Sequence, residues 1–541
     1  MFGGRLATLL ADIPKAHLLI AGRRFAQAEA FCAAYEGAAT VAPVMLDRAD
    51  IITGIATWQP HIVVDASGPF QDYGAARYDV VAACIARGVH YLDFADAADF
   101  VFGISQFDNA AKAAGVFVLS GVSSFPVLTA AVVRQMAGQM EVHAVAGGIA
   151  PSPYAGIGLN VMKAVVGYAG GPVKLRRDGA DFTAKGLTES MRYTVAPPGR
   201  MPLRNIHFSL VDVPDLQVIP PAHPSMRDIW MGAGPVPEVL HRALNGIAKL
   251  RARFALPAFT PFSRLFYAVL NLMRFGEHRG GMFVHGRGVK DGKPHEMSWH
   301  LLAERDDGPF IPSMAIEVIL RKFLEGDLPA SGARPATNAL TLADYDRAFD
   351  GRTIYTGWRS AHDTGPLYRR ILGEAFETLP APLHALHDLT DPQVWQGEAS
   401  VERGTNPIAK GLAKFFGFPP AATATPVTVN LSQQDGIETW ARDFGGAKFH
   451  STQRAGTGRN SQLIVEQFGP IRVALAIVIK DGRLYLIPRR WTCFGVPLPR
   501  CLLPRGDSFE AMIDGKFNFD VTIAAPVIGL IVRYRGWLEQ R

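Results

Sequence analysis

The sequence predicts an α/β chain in three parts: a parallel sheet layered with helices over residues 1–125, an α+β domain over 126–345, and a mainly antiparallel β domain over 366–541. Three observations predict it. In the first part, helical patterns alternate with short apolar runs (AHLLIAG, HIVVDASG, VFVLSG) that end in small residues. Strands buried on both faces of a parallel sheet look like this. In the middle, strand-like runs broken by Gly and Pro surround one helical pattern, MAIEVILRKFLEG, and Lys290-Asp291-Gly292-Lys293 reads as a hairpin turn. In the last part, alternating segments are joined at Asp481-Gly482 and Asp514-Gly515, which are hairpin signals as well.

A chain of 541 residues, 48% hydrophobic and 19% charged, is long enough for several domains with their own cores. The net charge of +6 is spread thinly, and the basic residues neither cluster on a helix face nor interleave with aromatics, so no nucleic-acid partner is expected. Cys32, Cys84, Cys493 and Cys501 are too scattered for a disulfide framework or a metal motif. With no signal-peptide pattern at the start, the expected location is the cytoplasm. No run reaches the roughly 18 apolar residues of a membrane span. The nearest, PFSRLFYAVLNLMRF, is interrupted by Arg264 and Asn271. The segment from Pro257 to Gly276 reads as a buried helix or one facing a second copy in a homodimer, with peripheral contact to a membrane surface as the alternative.

Ligands of a parallel α/β sheet sit at the carboxyl ends of its strands. A Rossmann-type unit starts with a strand, a glycine-rich turn, and a helix whose N-terminus receives the pyrophosphate. Here the helix RLATLLAD is preceded only by Met1, Phe2, Gly3 and Gly4. Gly3 or Gly4 stands where the last glycine of that fingerprint would be, whereas the first strand and the two earlier glycines are missing. The expectation is a reading frame that begins too late, with Met1 in the place of an internally translated valine or similar residue. At the end of the next strand comes Ala21-Gly22-Arg23-Arg24, where the adenosine ribose would lie. An acidic residue there favours NAD; arginine forks suit a 2′-phosphate, so NADP is expected over NAD. The plainer reading of Arg23 and Arg24 is exposed charge at a helix start.

Further on, HIVVDASGPFQDYG and ACIARGVHYLDFAD combine a strand ending in Gly-Pro-Phe, a following Tyr-Gly, an Ala-Cys, a Gly and a Tyr-x-Asp. This pattern resembles the NAD(P)-binding domain of saccharopine dehydrogenases. The resemblance implies that Ser67, Gly68, Pro69 and Phe70 line the nicotinamide half of a cofactor and that Asp47 lies near its adenine. Asp65 caps or supports its strand end. Gly121, with Ser123 and Ser124, ends another strand and joins the cofactor-binding set. One departure stands out: many members of that family carry a glutamate four residues after the Tyr-x-Asp aspartate, where this chain has Ala97. Saccharopine itself is not the expected substrate, because no paired arginines for its carboxylates are identifiable.

No spacing diagnostic of a proton carrier or nucleophile is found, and the catalytic residues stay unassigned. Tyr154 lacks a lysine four residues on. His278, His285, His295 and His300 fit neither a helical pair nor a closed metal site. His384 and His387 read as a surface pair. Trp395, Trp440, Arg442, Phe444, Tyr534 and Trp537 fill a core or line a cavity. The motifs QGEASVERG, ETWARDFGG, FGVPLPRCLLP and VRYRGWL resemble an uncharacterised domain that follows saccharopine-dehydrogenase-type domains in bacterial proteins. The expected function is NADP(H)-dependent hydride transfer on an unidentified small molecule. The alternative is a non-catalytic nucleotide-dependent sensor, or a protein that binds lipid or another apolar ligand.

Overall fold

The computed structural model describes residues 2–156, 158–235, 237–273, 275–360, 365–506 and 508–541. Met1, on which the expectation of a late start rests, lies outside the described residues. The chain forms two compact units: Met1–Arg192 with Ile206–Met297 and Leu302–Ile354, and Tyr193–Asn205 with Ser298–Leu301 and Tyr355–Arg541.

The first unit opens with α1 (Phe2–Leu9), β1 (His17–Gly22), α2 (Phe25–Ala33), β2 (Thr40–Met45), α3 (Ile51–Trp58) and β3 (Ile62–Asp65). It continues with α4 (Asp79–Ala86), β4 (His90–Asp93), α5 (Ala98–Gly103), α6 (Asp108–Ala113) and β5 (Phe117–Ser120). Strand and helix alternate, so all the pairings are parallel. They fall into two sheets, β1-β2 and, with a strand from far along the chain, β14-β5-β4-β3, where β14 is Gly332–Pro335. No pairing joins β1 or β2 to the second sheet among the described residues. Burial follows the division. Every residue of β5 is buried, whereas Leu19 in β1 is 40% exposed and Ile62, Val63 and Val64 of β3 are only half-buried. The core beneath the second sheet joins Ile51, Ile55, Val81, Cys84, Tyr91 and Val118.

After α7 (Thr129–Ala137) the chain enters a mixed sheet. Its members are β6 (Glu141–Ala150), β10 (Ile206–Leu210), β11 (Asp228–Ala233), β12 (Gly280–Lys290) and β13 (Lys293–Ala303). Their order is β13-β12-β6-β11-β10, with β11 parallel to β6 and β12 antiparallel to it. The predicted turn at Asp291-Gly292 is there, with φ of 51° and 73°. At the edge beside β10 the sheet gains β9 (Ser190–Tyr193), and around it lie α8 (Leu159–Tyr168) and the hairpin β7 (Pro172–Arg177) and β8 (Ala180–Lys185). Then come α9 (Asp215–Val218), α10 (Glu238–Phe254), α11 (Ser263–Leu272), α12 (Ile311–Leu324) and α13 (Leu342–Phe349). Helix α12 packs on α1, where Arg321 Nη2 donates to the Leu9 carbonyl at 2.9 Å and to Asp12 Oδ1 at 2.7 Å.

One expectation is corrected here. The Pro257–Gly276 segment forms α11, but within this chain it is not a buried helix: its only buried side chain is Ser263, and Leu265 and Leu272 are 61% and 85% exposed. Apolar composition alone does not set burial, and the described residues leave the stripe of Leu265, Val269 and Leu272 exposed.

The second unit is a C-terminal antiparallel β-barrel. Its strands run from Gln393–Arg403 to Gly529–Gln540, each pairing antiparallel with its neighbours, and the Ile471–Lys480 to Arg483–Cys493 pairing closes the circuit. Asp481-Gly482 and Asp514-Gly515 make the predicted hairpins, all four residues at positive φ. The interior is filled by side chains, among them Trp395, Trp440, Phe444, Phe517 and Tyr534, together with the short helices Leu367–Leu372 and Ala381–His387. His387 belongs to this interior, which corrects its reading as part of a surface pair. It is buried, stacked on Tyr368 at 3.7 Å, and bonded through Nε2 to Glu510 at 2.5 Å.

The packing of the mixed sheet makes a prediction. A Cβ at Gly148 would lie 2.7 Å from both Phe208 Cδ1 and Phe283 Cε1, two fully buried rings. Gly148→Ala is expected to destabilise the first unit by about 1–3 kcal/mol, read as a lower urea midpoint; an unchanged midpoint would contradict this packing.

Candidate functional site

The carboxyl ends of β1 to β5 carry the residues singled out from the sequence. Gly3 and Gly4 lie in the first turn of α1. A Cβ on Gly3 would sit 3.5 Å from that of Ala66, just past β3, and one on Gly4 would press on the Phe31 ring of α2 at 3.3 Å. Small residues here let α1 approach both neighbours. Ala21 and Gly22 end β1, and a Cβ on Gly22 would meet nothing within 4 Å. Arg23 and Arg24 follow, both exposed, with no side-chain hydrogen bond or ion pair among the described residues. Asp47, past β2, accepts from the Ala49 amide at 3.1 Å and so caps a short turn.

The loop after β3 is held by a ring of four side chains. Asp65 Oδ1 accepts from the amide of Ser67 at 3.0 Å and from its hydroxyl at 2.5 Å, while Oδ2 pairs with Arg48. The Arg48 guanidinium lies 3.9 Å from the centre of the Tyr73 ring, whose hydroxyl is 2.8 Å from Ser67 Oγ. Asp65 is buried, and a buried carboxylate persists only when paired and hydrogen-bonded, which Arg48 and Ser67 accomplish. Burial raises the Tyr73 phenol above its usual range. Gly68 and Pro69 are joined by a cis peptide bond, and the Gly68 carbonyl accepts from Asn160 Nδ2 of α8 at 2.7 Å. Phe70 is buried against Tyr73 and Phe100, with ring centres 5.6 and 5.0 Å away.

Between β4 and β5 a single carboxyl does the bracing. Asp93 is fully buried, and its Oδ1 accepts from the Ala95 amide at 2.9 Å and from the Gly121 amide at 2.7 Å. Gly121 has φ of 73°, and a Cβ there would come within 3.0 Å of Val101. Backbone conformation and space both call for glycine. Desolvation pushes the Asp93 carboxyl up to about 7, against the pull of those amides.

More buried acid faces this region. Burial raises Asp96, three residues past Asp93, and pushes Asp212, just beyond β10, up to about 6, with the carboxylates of Asp99 and Asp96 adding to the shift. Tyr168 of α8, buried near both Asp212 and Asp96, is raised as well.

The structure thus places Ser67, Gly68, Pro69 and Phe70 after β3 and Gly121 after β5, two strands of one sheet with β4 between them, and Gly22, Arg23 and Arg24 at the end of β1. Sequence reasoning missed Arg48, Asn160, Asp96 and Asp212. Arg48 had a signal, since it directly follows Asp47; Asn160 had none, being 92 residues from its partner. Of the weaker candidates, Tyr154 stacks on His278 at 3.7 Å, and His285 pairs with Glu296 at 3.2 Å. Among the described residues no group of three His, Cys, Asp or Glu side chains is placed to hold a metal ion.

Residues 379–538 match a family model described as a domain of unknown function (DUF4166), which covers most of the barrel unit. No curated protein matches the sequence. Solved structures similar to the chain include an amine dehydrogenase from Mycobacterium smegmatis, at 10% identity and a TM-score of 0.32, covering 61% of this chain and 90% of that one. Another is the WlbA (WbpB) dehydrogenase from Thermus thermophilus in complex with NAD and alpha-ketoglutarate, at 10% identity and a TM-score of 0.26, covering 60% and 85%. A third is an NAD binding oxidoreductase from Klebsiella pneumoniae, at 19% identity and a TM-score of 0.20, covering 29% and 41%. Likenesses this low assign no activity, and the chemistry of the crevice rests on its own residues.

Asp93 gives the site a pH signature. Its carboxyl titrates near 7 in the fold and near 3.8 when unfolded, so the native state holds a proton that the unfolded chain releases. The stability this proton supplies is fully present below the unfolded value and is lost as pH rises through the folded one, a loss on the order of a few kcal/mol. Asp93→Asn keeps the acceptor oxygen and removes the titration. Urea unfolding at about pH 5 and about pH 8 is expected to show a smaller fall for the variant than for the parent; equal falls would contradict the assignment.

Proposed function

We propose that this chain is an oxidoreductase that binds NADP(H) across the carboxyl ends of β1 to β5 and moves hydride to or from a small molecule. The observation that carries the reading is the end of β1. Gly22 leaves open space there, no acidic side chain follows it, and Arg23 and Arg24 stand exposed without carboxylate partners. A ribose bearing only hydroxyls is matched by an acid at this place, and one bearing a 2′-phosphate by guanidinium forks.

The residues present fit such a cofactor. Gly3 and Gly4 bring the start of α1 close to β3, so amides of the first turn are available to a pyrophosphate. The loop of Ser67, Gly68, Pro69 and Phe70 is fixed by Asp65, Arg48, Tyr73 and Asn160, which suits it to wall the nicotinamide side without rearranging. Asp47 is tied to its own turn and stands at the adenine end. Bound there, the nicotinamide supplies or accepts the hydride. Asp96 and Asp212 are half-buried with carboxyls raised by desolvation, Asp212 to about 6, which suits Asp212 to hold a proton near neutral pH on the substrate side. The finer reading as a saccharopine-dehydrogenase-type protein is supported by the Gly-Pro-Phe turn and the Tyr-x-Asp motif, with Ala97 leaving open how its proton transfer compares with that family.

The test is a direct comparison of cofactors. Fluorescence titration is expected to show NADPH binding more tightly than NADH, with Arg23→Ala/Arg24→Ala weakening NADPH by roughly tenfold or more, the worth of a charge-assisted hydrogen bond, and NADH by less than about threefold. Equal affinities in the parent chain, or a preference unchanged in the variant, would overturn the assignment of the arginines. Oxidation of bound NADPH on addition of a metabolite pool tests the enzymatic half, and a chain that binds without ever turning over would contradict it.

A further inference from the structure

The apolar stripe of α11 and the apolar side chains at the end of α10 are exposed and used by neither the fold nor the crevice. In α10 the inward side chains are His241, Asn245 and Ala248, at helical spacing; Asn245 Nδ2 donates to the Leu187 carbonyl at 2.8 Å and to Ser209 Oγ at 3.0 Å. That is how the helix is anchored. Leu250 and Phe254, four residues apart on its outer side, are 51% and 60% exposed. In α11 Leu265, Val269 and Leu272, spaced by four and three, make one stripe, and all three are exposed. Phe262 and Phe275 flank that stripe and are exposed too. Exposed apolar side chains scattered singly need no explanation, but this many on two consecutive helices mark an interaction surface.

Charge says what the surface meets. From Val239 to Gly276 the sequence holds no Asp or Glu, while it holds Arg242, Lys249, Arg251, Arg253, Arg264 and Arg274. Some of these are spoken for: Arg251 Nη1 donates to the carbonyls of Gly167 and Ala169, and Arg242 pairs with Glu238. Lys249, Arg253 and Arg264 are exposed with no carboxylate partner among the described residues. A second copy docking face to face would bring like charges together, since the nearest acids, Glu238 and Glu277, are already paired with Arg192, Arg242 and Arg279. An anionic lipid surface offers both what the apolar stripe lacks and what the cations lack.

We propose that α10 and α11 seat this protein on anionic membrane surfaces, with Leu265, Val269, Leu272, Phe262 and Phe254 entering the headgroup boundary and Lys249, Arg253 and Arg264 facing the lipid phosphates. No described helix is long and apolar enough to cross a membrane, so the contact is interfacial. Each cation brought to such a surface multiplies the partition by about fivefold, so three act together with the apolar stripe rather than in place of it. The contact is independent of the cofactor reading and stands or falls without it.

The experiment is flotation of the full chain with vesicles of phosphatidylcholine alone or mixed with phosphatidylglycerol. Binding to the mixed vesicles is expected to exceed binding to phosphatidylcholine by about twenty-five-fold or more, the worth of two cations, and to fall as salt rises. Leu265→Glu/Leu272→Glu is expected to abolish flotation, and Lys249→Ala/Arg253→Ala/Arg264→Ala to remove the preference for phosphatidylglycerol. All these side chains are exposed, so thermal unfolding of both variants is expected to match the parent, and their NADPH titrations likewise. No flotation of the parent, flotation equal on both vesicles, or a double variant that floats as well as the parent would overturn the proposal. So would a parent that is dimeric by light scattering when the Leu265→Glu/Leu272→Glu chain is monomeric, for then a second copy covers the stripe.

Discussion

The crevice depends on one buried carboxyl. Asp93 ends β4 beneath the strand ends, where no water reaches it, and ties the turn after its own strand to the turn after β5 through Ala95 and Gly121. Burying a carboxylate is costly, and two amides offset only part of that cost, so the group holds its proton close to neutral pH. The neighbouring turn solves the same problem in another way. Asp65 is also buried but takes a cation, Arg48, and two donors from Ser67, and through them the Gly-Pro-Phe loop is fixed. Two acids at the ends of adjacent strands, one neutralised by a proton and one by an arginine, set the shape of the floor on which a ligand would lie.

Much of the architecture was legible in the sequence because it is written in local patterns. AHLLIAG and VFVLSG both became strands, but only β5 is covered throughout as an unbroken apolar run with small ends suggests; no residue of β1 is buried. Asp-Gly pairs became hairpin turns because they tolerate positive φ. Gly121 was singled out as a strand end and does adopt the left-handed backbone. What was not legible depends on contacts between distant residues. The partner of Gly68 is Asn160, that of His387 is Glu510, and neither local spacing nor composition announces such pairs. His387 illustrates the reason: three residues from His384 on one short helix, it points into the barrel, and burial by other strands decides its environment.

The exposure of α11 has the same root. An apolar helical stripe says that a surface avoids water, and not which surface will cover it. In α12, a comparable pattern is buried: Ile311, Met314, Ala315, Ile316 and Ile319 are covered. In α11 the side chains of the stripe, Leu265, Val269 and Leu272, stay exposed. The difference lies in the neighbours, and the uninterrupted excess of Lys and Arg around α11 is the sequence feature that separates the two. The proposed site for a soluble ligand and the proposed seat on a lipid surface are compatible in one molecule, because they use different residues of the first unit.

The central claim is that the ends of β1 to β5 cradle a phosphorylated dinucleotide. Hydrogen–deuterium exchange of the full chain with and without NADPH tests it most directly, because it reads the backbone at the place of contact. The account predicts slower exchange on adding NADPH in the segments around Gly22–Arg24, Ser67–Phe70 and Gly121, with the barrel unchanged. Protection confined to the barrel, or none in those three segments at saturating NADPH, would contradict it.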